Sequence, residues 1–502
     1  MLRNVGSNWV LTLVTIAATY VLTPFVIRTL GQDGYGTWTL ITAMTGYMSL
    51  MALGVPMACV RYLAEHVAEH DSRKMNATIA SCAGLYLLIG GMSVLVGGAL
   101  TLAFIAYSIP EVWRLEAYVA FGLMVLHTAA GFVGFLPEGI MFAHHDFVVR
   151  NLVRVGGVAL RLGLTIALMT LDGSLIVLAL IQLLGLAFDF SLCVILVRRR
   201  YPDVRVSFAD FEWAVVRRIL SFSVFVLLLA AGARLSFETD ALVFGAILGV
   251  GAIPFYAVAN SLVVYLMDFV IAIAAVVMPL ATKLNTEGRT DELREIFLKW
   301  SKVALSLTIG AGVFLIVLGP RFISWWIAPE YEHPSGVVLQ IPMVSSIVFL
   351  PVRGVALPIL MGLGKPRAAT IAFVLAGLLN LVLSILLARP FGLAGVALGT
   401  AIPNVLFAAV VLALACREVG ITVSSYLRYV VPRAALGALP LFALVLWFKF
   451  GAQVQSLVGL IVAGSAMSVL FAVTWVFFVY RNDPYVDLTP HLVRLRAKAL
   501  GA

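Results

Sequence analysis

Charge is what this chain of 502 residues has least of: Asp, Glu, Lys and Arg together make up only 12% of it. Soluble domains carry about twice that share, so a fold surrounded by water is excluded. Cysteine is also scarce. Cys59, Cys82, Cys193 and Cys416 stand singly, without a CxxC pair. That excludes a disulfide framework and a zinc ribbon, and the four read as small apolar residues. The signatures of hydrolytic and phosphate-handling enzymes are missing: there is no HExxH, no GxxxxGK[ST] and no Ser/His/Asp set on an exposed loop. His144-His145-Asp146 is a cluster, but neighbouring side chains on a helix diverge, so neither a metal site nor a cofactor is expected there. The alternating segments of a membrane β-barrel are absent as well.

What is present is apolar sequence, at 62% of the chain. Long uncharged runs recur from end to end, the pattern of an all-α polytopic membrane protein. Trp9 to Ile27 is too long and unbroken for a signal-peptide core and reads as an uncleaved first span. Spans are expected near 8–28, 38–60, 77–106, 118–142, 155–171, 175–197, 219–237, 254–281, 303–327, 340–363, 369–388, 394–415, 435–449 and 455–480, about 14 transmembrane helices. Most of the 34 Lys and Arg then fall on the face that carries both termini. The opposite face holds only Arg28, Arg114, Arg321, Arg389 and Lys449, while Arg161, Arg234 and Arg353 lie within spans. This bias places both termini in the cytoplasm. The net charge of +9 is thus a topology signal, scattered over loops such as that of Lys299 and Lys302, and no nucleic-acid partner is expected.

Three local matches recur at nearly one offset. Leu30-Gly31 with Trp38 resembles Leu248-Gly249 with Tyr256; Asp172-Gly173-Ser174-Leu175 resembles Phe391-Gly392-Leu393-Ala394; and Gly139-Ile140-Met141 before His145-Asp146 resembles Pro358-Ile359-Leu360 before Gly364-Lys365. Six spans per half make the repeat parallel, with a pseudo-two-fold axis along the membrane normal. The expected architecture is two pseudo-symmetric six-helix bundles, 1–200 and 219–416, around a central cavity. A cytoplasmic amphipathic linker at 201–218 joins them; two extra C-terminal helices (417–480) and a cytoplasmic tail (481–502) follow. In the linker, charges alternate with Phe208, Phe211 and Trp213, which suits a segment lying on the membrane.

Ionisable residues inside spans are costly and point to function. Counted from the expected span ends at about 1.5 Å per residue, Glu138 and Arg161 share one depth, Asp189 and Arg353 a second, and Arg234 and Asp268 a third. One reading is a ladder of cationic stations, Arg161, Arg234 and Arg353, for an anionic substrate. Glu138, Asp189 and Asp268 would then tune it or bind a coupling cation. The other is three ion pairs that pin helices together. His127 is a candidate proton carrier or a satisfied core histidine. Asn380, at the repeat position of Arg161, either faces the same cavity or makes a helix–helix hydrogen bond. Pro24, Pro56, Pro137, Pro279, Pro358 and Pro403 can kink their helices.

Asn8-Trp9, Pro24 and Leu30-Gly31-x-x-Gly34-Tyr35-Gly36-Thr37-Trp38 resemble the opening of Wzx-like polysaccharide-biosynthesis flippases. Arg353-Gly354, Met361-Gly362-Leu363-Gly364-Lys365 and Phe391-Gly392-Leu393-Ala394-Gly395 resemble their second half. The wider superfamily also holds lipid II flippases and multidrug/cation antiporters. One departure stands out: where the family often carries Asp-Leu-Gly-Leu after the second span, this chain has Ala52-Leu53-Gly54-Val55 and no acid to couple a cation. The resemblance implies a non-enzyme of the bacterial inner membrane. It would flip an undecaprenyl-diphosphate-linked oligosaccharide to the outer leaflet by alternating access, for surface polysaccharide or O-antigen. Implied partners are the lipid-linked oligosaccharide, membrane lipids, a polysaccharide polymerase with its chain-length partner, and a coupling proton or sodium ion. The alternatives are a small-molecule/cation antiporter of the same architecture and an integral-membrane glycosyltransferase or polymerase.

Overall fold

The computed structural model describes residues 2–52, 54–105, 107–220, 231–232, 234–235 and 239–486. The described residues are helical throughout, with no strand, and eleven of their helical stretches are long and apolar enough to cross a membrane. The expected count of 14 is not reached, for two reasons. The span expected at 219–237 lies mostly outside the described residues. Two pairs of expected spans are also continuous: α1 (Leu2–Met48) and α14 (Pro366–Val419) run for 47 and 54 residues. At about 1.5 Å per residue each is more than twice as long as the roughly 30 Å hydrocarbon core. Each is broken by one glycine with non-helical torsions, Gly31 in α1 and Gly392 in α14.

The chain forms two compact units, and the first takes in the chain to Arg234 together with the stretch ending at Pro254. After α1 it contains α2 (Val55–Ala68), α3 (Ser72–Phe104), α4 (Glu111–Ala143), α5 (Phe147–Met169), α6 (Leu175–Arg200) and α7 (Thr239–Ile247). The second begins at Phe255, apart from a three-residue stretch before it. It holds α8 (Ile253–Ile271), α9 (Ala274–Thr286), α10 (Thr290–Val317), α11 (Gly319–Trp326), α12 (Glu332–Pro351), α13 (Leu357–Gly362), α14, α15 (Val423–Leu446) and α16 (Leu457–Thr474).

Side-chain caps start several of these helices. Asp71 accepts from Lys74 N, Ser174 from Ile176 N, Thr422 from Ser425 N and Ser456 from Gly459 N, which satisfies amide donors that helices leave free. Pro24, Pro137, Pro279 and Pro403 sit inside helices, and Pro358 follows directly on the helical stretch Val352–Ala356, whereas Pro56 occupies a first turn, where the missing N–H costs nothing. The linker makes a short helical turn at Phe208–Asp210 and is helical again from Trp213. It is tied along α3: Asn76 Nδ2 donates to Asp203 O (3.2 Å), Arg205 N to Asn76 Oδ1 (2.9 Å) and Glu212 N to Ser81 Oγ (3.1 Å). Phe208 and Trp213 remain exposed.

The repeat is written in the backbone as well. Gly31 (φ 71°, ψ −179°) and Gly249 (φ 89°, ψ 160°) share a conformation that is essentially open to glycine alone. His70 corresponds to Gly288, and His145 to Gly364, at the same spacing, and all four are left-handed. Each closes its helix in one way: the following amide reaches back five residues, Asp71 to His66 O, Arg289 to Leu284 O, Asp146 to Met141 O and Lys365 to Leu360 O, at 2.9–3.1 Å. A methyl group added at Gly31 or Gly364 would meet no neighbour, so alanine there strains the backbone alone. Gly364→Ala is expected to cost about 1 kcal/mol, and Gly31→Ala more, up to about 3 kcal/mol. Thermal melting of the purified variants checks the order; equal melting points would overturn it.

The residues of the opening motif also acquire physical reasons. Asn8 Oδ1 accepts from Asn151 Nδ2 at 2.5 Å, which ties the start of α1 to α5. A Cβ on Gly34 would meet the Trp113 ring at 2.9 Å, and one on Gly36 would lie 2.0 Å from Val250 O.

Candidate functional site

Within the first unit, α1, α4, α5 and α6 enclose a cavity of about 480 Å³. Polar residues reach it at helical spacing, because residues three, four and seven apart share a face. Thr42, Thr45 and Ser49 come from α1 and the short turn after it. His127, Thr128 and Glu138 come from α4, Arg154 and Arg161 from α5, and Gln182 and Asp189 from α6. The structure thus brings four of the eight expected site residues, His127, Glu138, Arg161 and Asp189, to one place. Sequence reasoning missed Arg154, Gln182 and the hydroxyl stripe. The signal for them was spacing: Arg154 is two turns before Arg161, and Thr42, Thr45 and Ser49 form one helical row.

The pairing of charges differs from the depth ladder. Arg161 Nη1 donates to Asp189 Oδ2 at 3.0 Å, with both side chains less than a quarter exposed. Glu138 is held instead by Arg150 and Arg154. The depth count began span five near residue 155, but α5 starts at Phe147. Arg161 therefore lies about 12 Å further from the start of its helix than from the expected span end, since each residue adds about 1.5 Å. The Arg161–Asp189 pair fits because its flanks are glycine: Gly157 and Gly185 are buried where a Cβ would lie 2.0 Å from Asp189 Oδ1 and 2.6 Å from Arg161 Nη1. Asp189 Oδ1 and Arg154 Nε are buried and have no hydrogen-bond partner among the described residues.

Arg234 stands one hydrogen bond from the cavity. Its Nη2 donates to Ser49 Oγ at 3.0 Å, and its carbonyl accepts from Tyr47 at 3.1 Å. The other three predicted residues belong to the second unit. Arg353 lies in a short π-helical stretch, Val352–Ala356, with its guanidinium 5.0 Å from the Phe373 ring. Its Nε is buried without a partner, and it forms no ion pair among the described residues. Asn380 is buried and donates to Thr400 Oγ1 at 3.0 Å, while its Oδ1 has no partner. Asp268 is exposed on α8. His144 stacks on Tyr201, and Asp146 receives Arg200 and the Tyr201 hydroxyl, both at 2.7 Å. No group of three or more His, Cys, Asp or Glu is placed for a metal among the described residues.

Chemically, the cavity offers guanidiniums for an anion, hydroxyls and an amide for a polyol, and a carboxylate oxygen with room for a proton or cation.

Solved structures share the fold: lipid II flippase MurJ in an inward closed conformation, with TM-score 0.71 at 13% identity over 94% of this chain and 99% of that one. An inward-facing multidrug resistance MATE family transporter of the MOP superfamily gives 0.64 at 15% identity, covering 83% of this chain and 99% of that one. The uncharacterized membrane protein EpsK of Bacillus subtilis is 21% identical over 486 residues, 94% of each chain. Residues 1–285 match the family model described as polysaccharide biosynthesis protein. With that match over more than half its length, the chain belongs to the polysaccharide biosynthesis protein family.

Proposed function

We propose that the protein flips an undecaprenyl-diphosphate-linked oligosaccharide from the cytoplasmic to the outer leaflet of the bacterial inner membrane by alternating access, with both termini in the cytoplasm. The observation that carries this reading is the arginine- and hydroxyl-lined cavity among membrane helices. A diphosphate and a sugar cannot enter hydrocarbon unpaired without a large penalty. Guanidiniums give phosphates short, charge-assisted, often bidentate hydrogen bonds, and Thr42, Thr45, Thr128 and Gln182 suit sugar hydroxyls. Arg161, Arg234, Arg353 and Asn380 are the substrate-binding residues of this reading. The lipid tail stays in the bilayer. A polymerase and its chain-length partner would receive the product.

One observation favours coupled transport. Asp189 keeps one carboxylate oxygen buried and unpartnered, and His127 lines the same cavity, which suits a proton or sodium ion exchanged against substrate; Glu138 and Asp268 are the other acids of this reading. A small-molecule/cation antiporter would use the same groups.

Surface polysaccharide, measured at matched membrane levels of protein, tests the proposal. Arg161→Ala is expected to lower it at least about tenfold, the loss of one charge-assisted interaction, with lipid-linked precursor accumulating on the cytoplasmic leaflet. Unchanged output from Arg161→Ala, Arg234→Ala and Arg353→Ala would overturn the assignment. Drug efflux with no polysaccharide phenotype would replace it with the antiporter.

A further inference from the structure

At the edge of the cavity, one carboxylate is gripped by two arginines. Arg150 and Arg154 lie one turn apart on α5, so both side chains rise on one face. Arg150 donates from Nε to Glu138 Oε2 at 3.1 Å, and its Nη2 lies 3.0 Å from the same oxygen. Arg154 Nη2 lies 2.8 Å from both Glu138 oxygens. Two guanidiniums therefore face a single negative charge, and one positive charge is left over. Arg154 has capacity to spare, because its Nε is buried without a partner. Arg150 is steadied from outside by the Phe142 ring at 5.5 Å and by Asn151 Oδ1 at 3.4 Å. Glu138 and Arg154 both line the cavity, so an anion arriving there meets the grip directly.

We infer that Arg150 and Arg154 form a diphosphate-binding claw, and that Glu138 is its resident anion, displaced when the diphosphate enters. This rests on the flippase reading for the identity of the substrate, but not for the chemistry. A diphosphate diester carries two negative charges and several acceptor oxygens. It matches two guanidinium forks better than one carboxylate does, and neutralises the charge that Glu138 leaves over. Displacement frees the Glu138 carboxylate on α4 from the claw on α5, so that loading of substrate releases a contact between the two helices. Glu138 sets specificity by competition: a ligand with a single weak charge cannot replace it, whereas a diphosphate can.

The test is inorganic pyrophosphate binding, by calorimetry, to the full-length protein in lipid nanodiscs, with inorganic phosphate and an isoprenyl diphosphate as further probes. Glu138→Gln removes the competing charge and is expected to tighten pyrophosphate about tenfold, while Arg150→Ala/Arg154→Ala weakens it by about the same factor or more. Glu138→Asp keeps the charge but withdraws it by one methylene, and should fall between wild type and Glu138→Gln; it reads the same competition if Glu138→Gln folds poorly. Isoprenyl diphosphate should follow pyrophosphate through the series, and phosphate should bind more weakly throughout. Equal pyrophosphate affinity in wild type, both Glu138 variants and the double arginine variant would overturn the claw, whatever the transport assay shows. If affinity shifts as expected but deletion of the whole protein leaves surface polysaccharide unchanged, the claw stands and the flippase assignment falls.

Discussion

Replacing Gly157 by alanine is expected to destabilise the first unit by about 3–5 kcal/mol, the range for a buried ion pair broken apart, and, on the proposed flippase reading, to lower surface polysaccharide with it. The methyl group would lie 2.0 Å from Asp189 Oδ1 and 2.8 Å from its Cγ and Oδ2. Asp189 cannot retreat and still hold Arg161, because its Oδ2 already lies 3.0 Å from Nη1. Either α5 and α6 separate or the pair opens, and opening it leaves two charges poorly paired in a low-dielectric cavity. Gly185→Ala attacks the same pair from the other helix, 2.6 Å from Arg161 Nη1 and 2.7 Å from its Cγ. Its effect should be smaller, since the arginine stem can swing. Two neighbours serve as controls. A Cβ at Gly156 would touch the Phe188 ring at an ordinary 3.5 Å, and one at Gly163 would meet open space. Each should melt at or above the wild-type temperature, since alanine is about 1 kcal/mol better than glycine inside a helix. Thermal melting and surface polysaccharide, read side by side, separate the cases. If Gly157→Ala behaves like Gly156→Ala on both, the tight packing around the pair is not what positions Arg161.

Those glycines mark the limit of what the sequence discloses. Membrane class, helical fold and the presence of charged residues inside spans could be read from it, because apolar length and intramembrane charge are one-dimensional signals; that His127, Glu138, Arg161 and Asp189 share one cavity could not. Which charge pairs with which is not one-dimensional. It depends on where a helix begins, and α5 starts eight residues before the expected span because helices do not stop where the hydrocarbon does. For the same reason the 14 expected spans run together: hydropathy sees a gap of polar residues at Gln32-Asp33, while the backbone turns only at Gly31 and stays helical on either side. The positive-φ positions tell the converse story. Glycine at 288 and 364 announces a helix end, but histidine at 70 and 145 adopts the same conformation without announcing it, so the repeat looks weaker in residues than it is in torsions.

A second pair shows the same limit, and breaking it should be as costly. Lys302 reads as one more loop cation among those that set topology. In the structure it is buried on α10 and paired with Asp483, with both side chains 1% exposed. Its ammonium lies 4.7 Å from the Tyr429 ring and 5.7 Å from that of Tyr480. Asp483 Oδ1 accepts from Tyr429 OH (2.6 Å), Tyr485 N (3.0 Å) and Val486 N (3.1 Å). The pair therefore pins the chain beyond the last helix to the body of the second unit. Lys302→Met strands a buried carboxylate and Asp483→Asn strands a buried ammonium; each is expected to cost about 3–5 kcal/mol. Lys302→Met with Asp483→Leu strands neither charge and should recover part of the loss; the Tyr429, Tyr485 and Val486 donors that lose Asp483 keep the rest. A melting-based double-mutant cycle measures the coupling, and additive losses would show that the two residues act separately. Burial pushes the Asp483 carboxyl up, but the Lys302 ammonium, the Tyr429 hydroxyl and the Tyr485 amide outweigh it and hold it below the usual carboxylate range. A carboxyl lowered on folding stabilises fully above its unfolded value, near pH 4, and loses that contribution as pH falls through the lower folded value. Wild-type protein should therefore melt earlier on acidification below about pH 4, and Lys302→Met/Asp483→Leu should show a shallower fall over the same interval. Parallel pH profiles for the two proteins would mean that Asp483 is not the group that titrates.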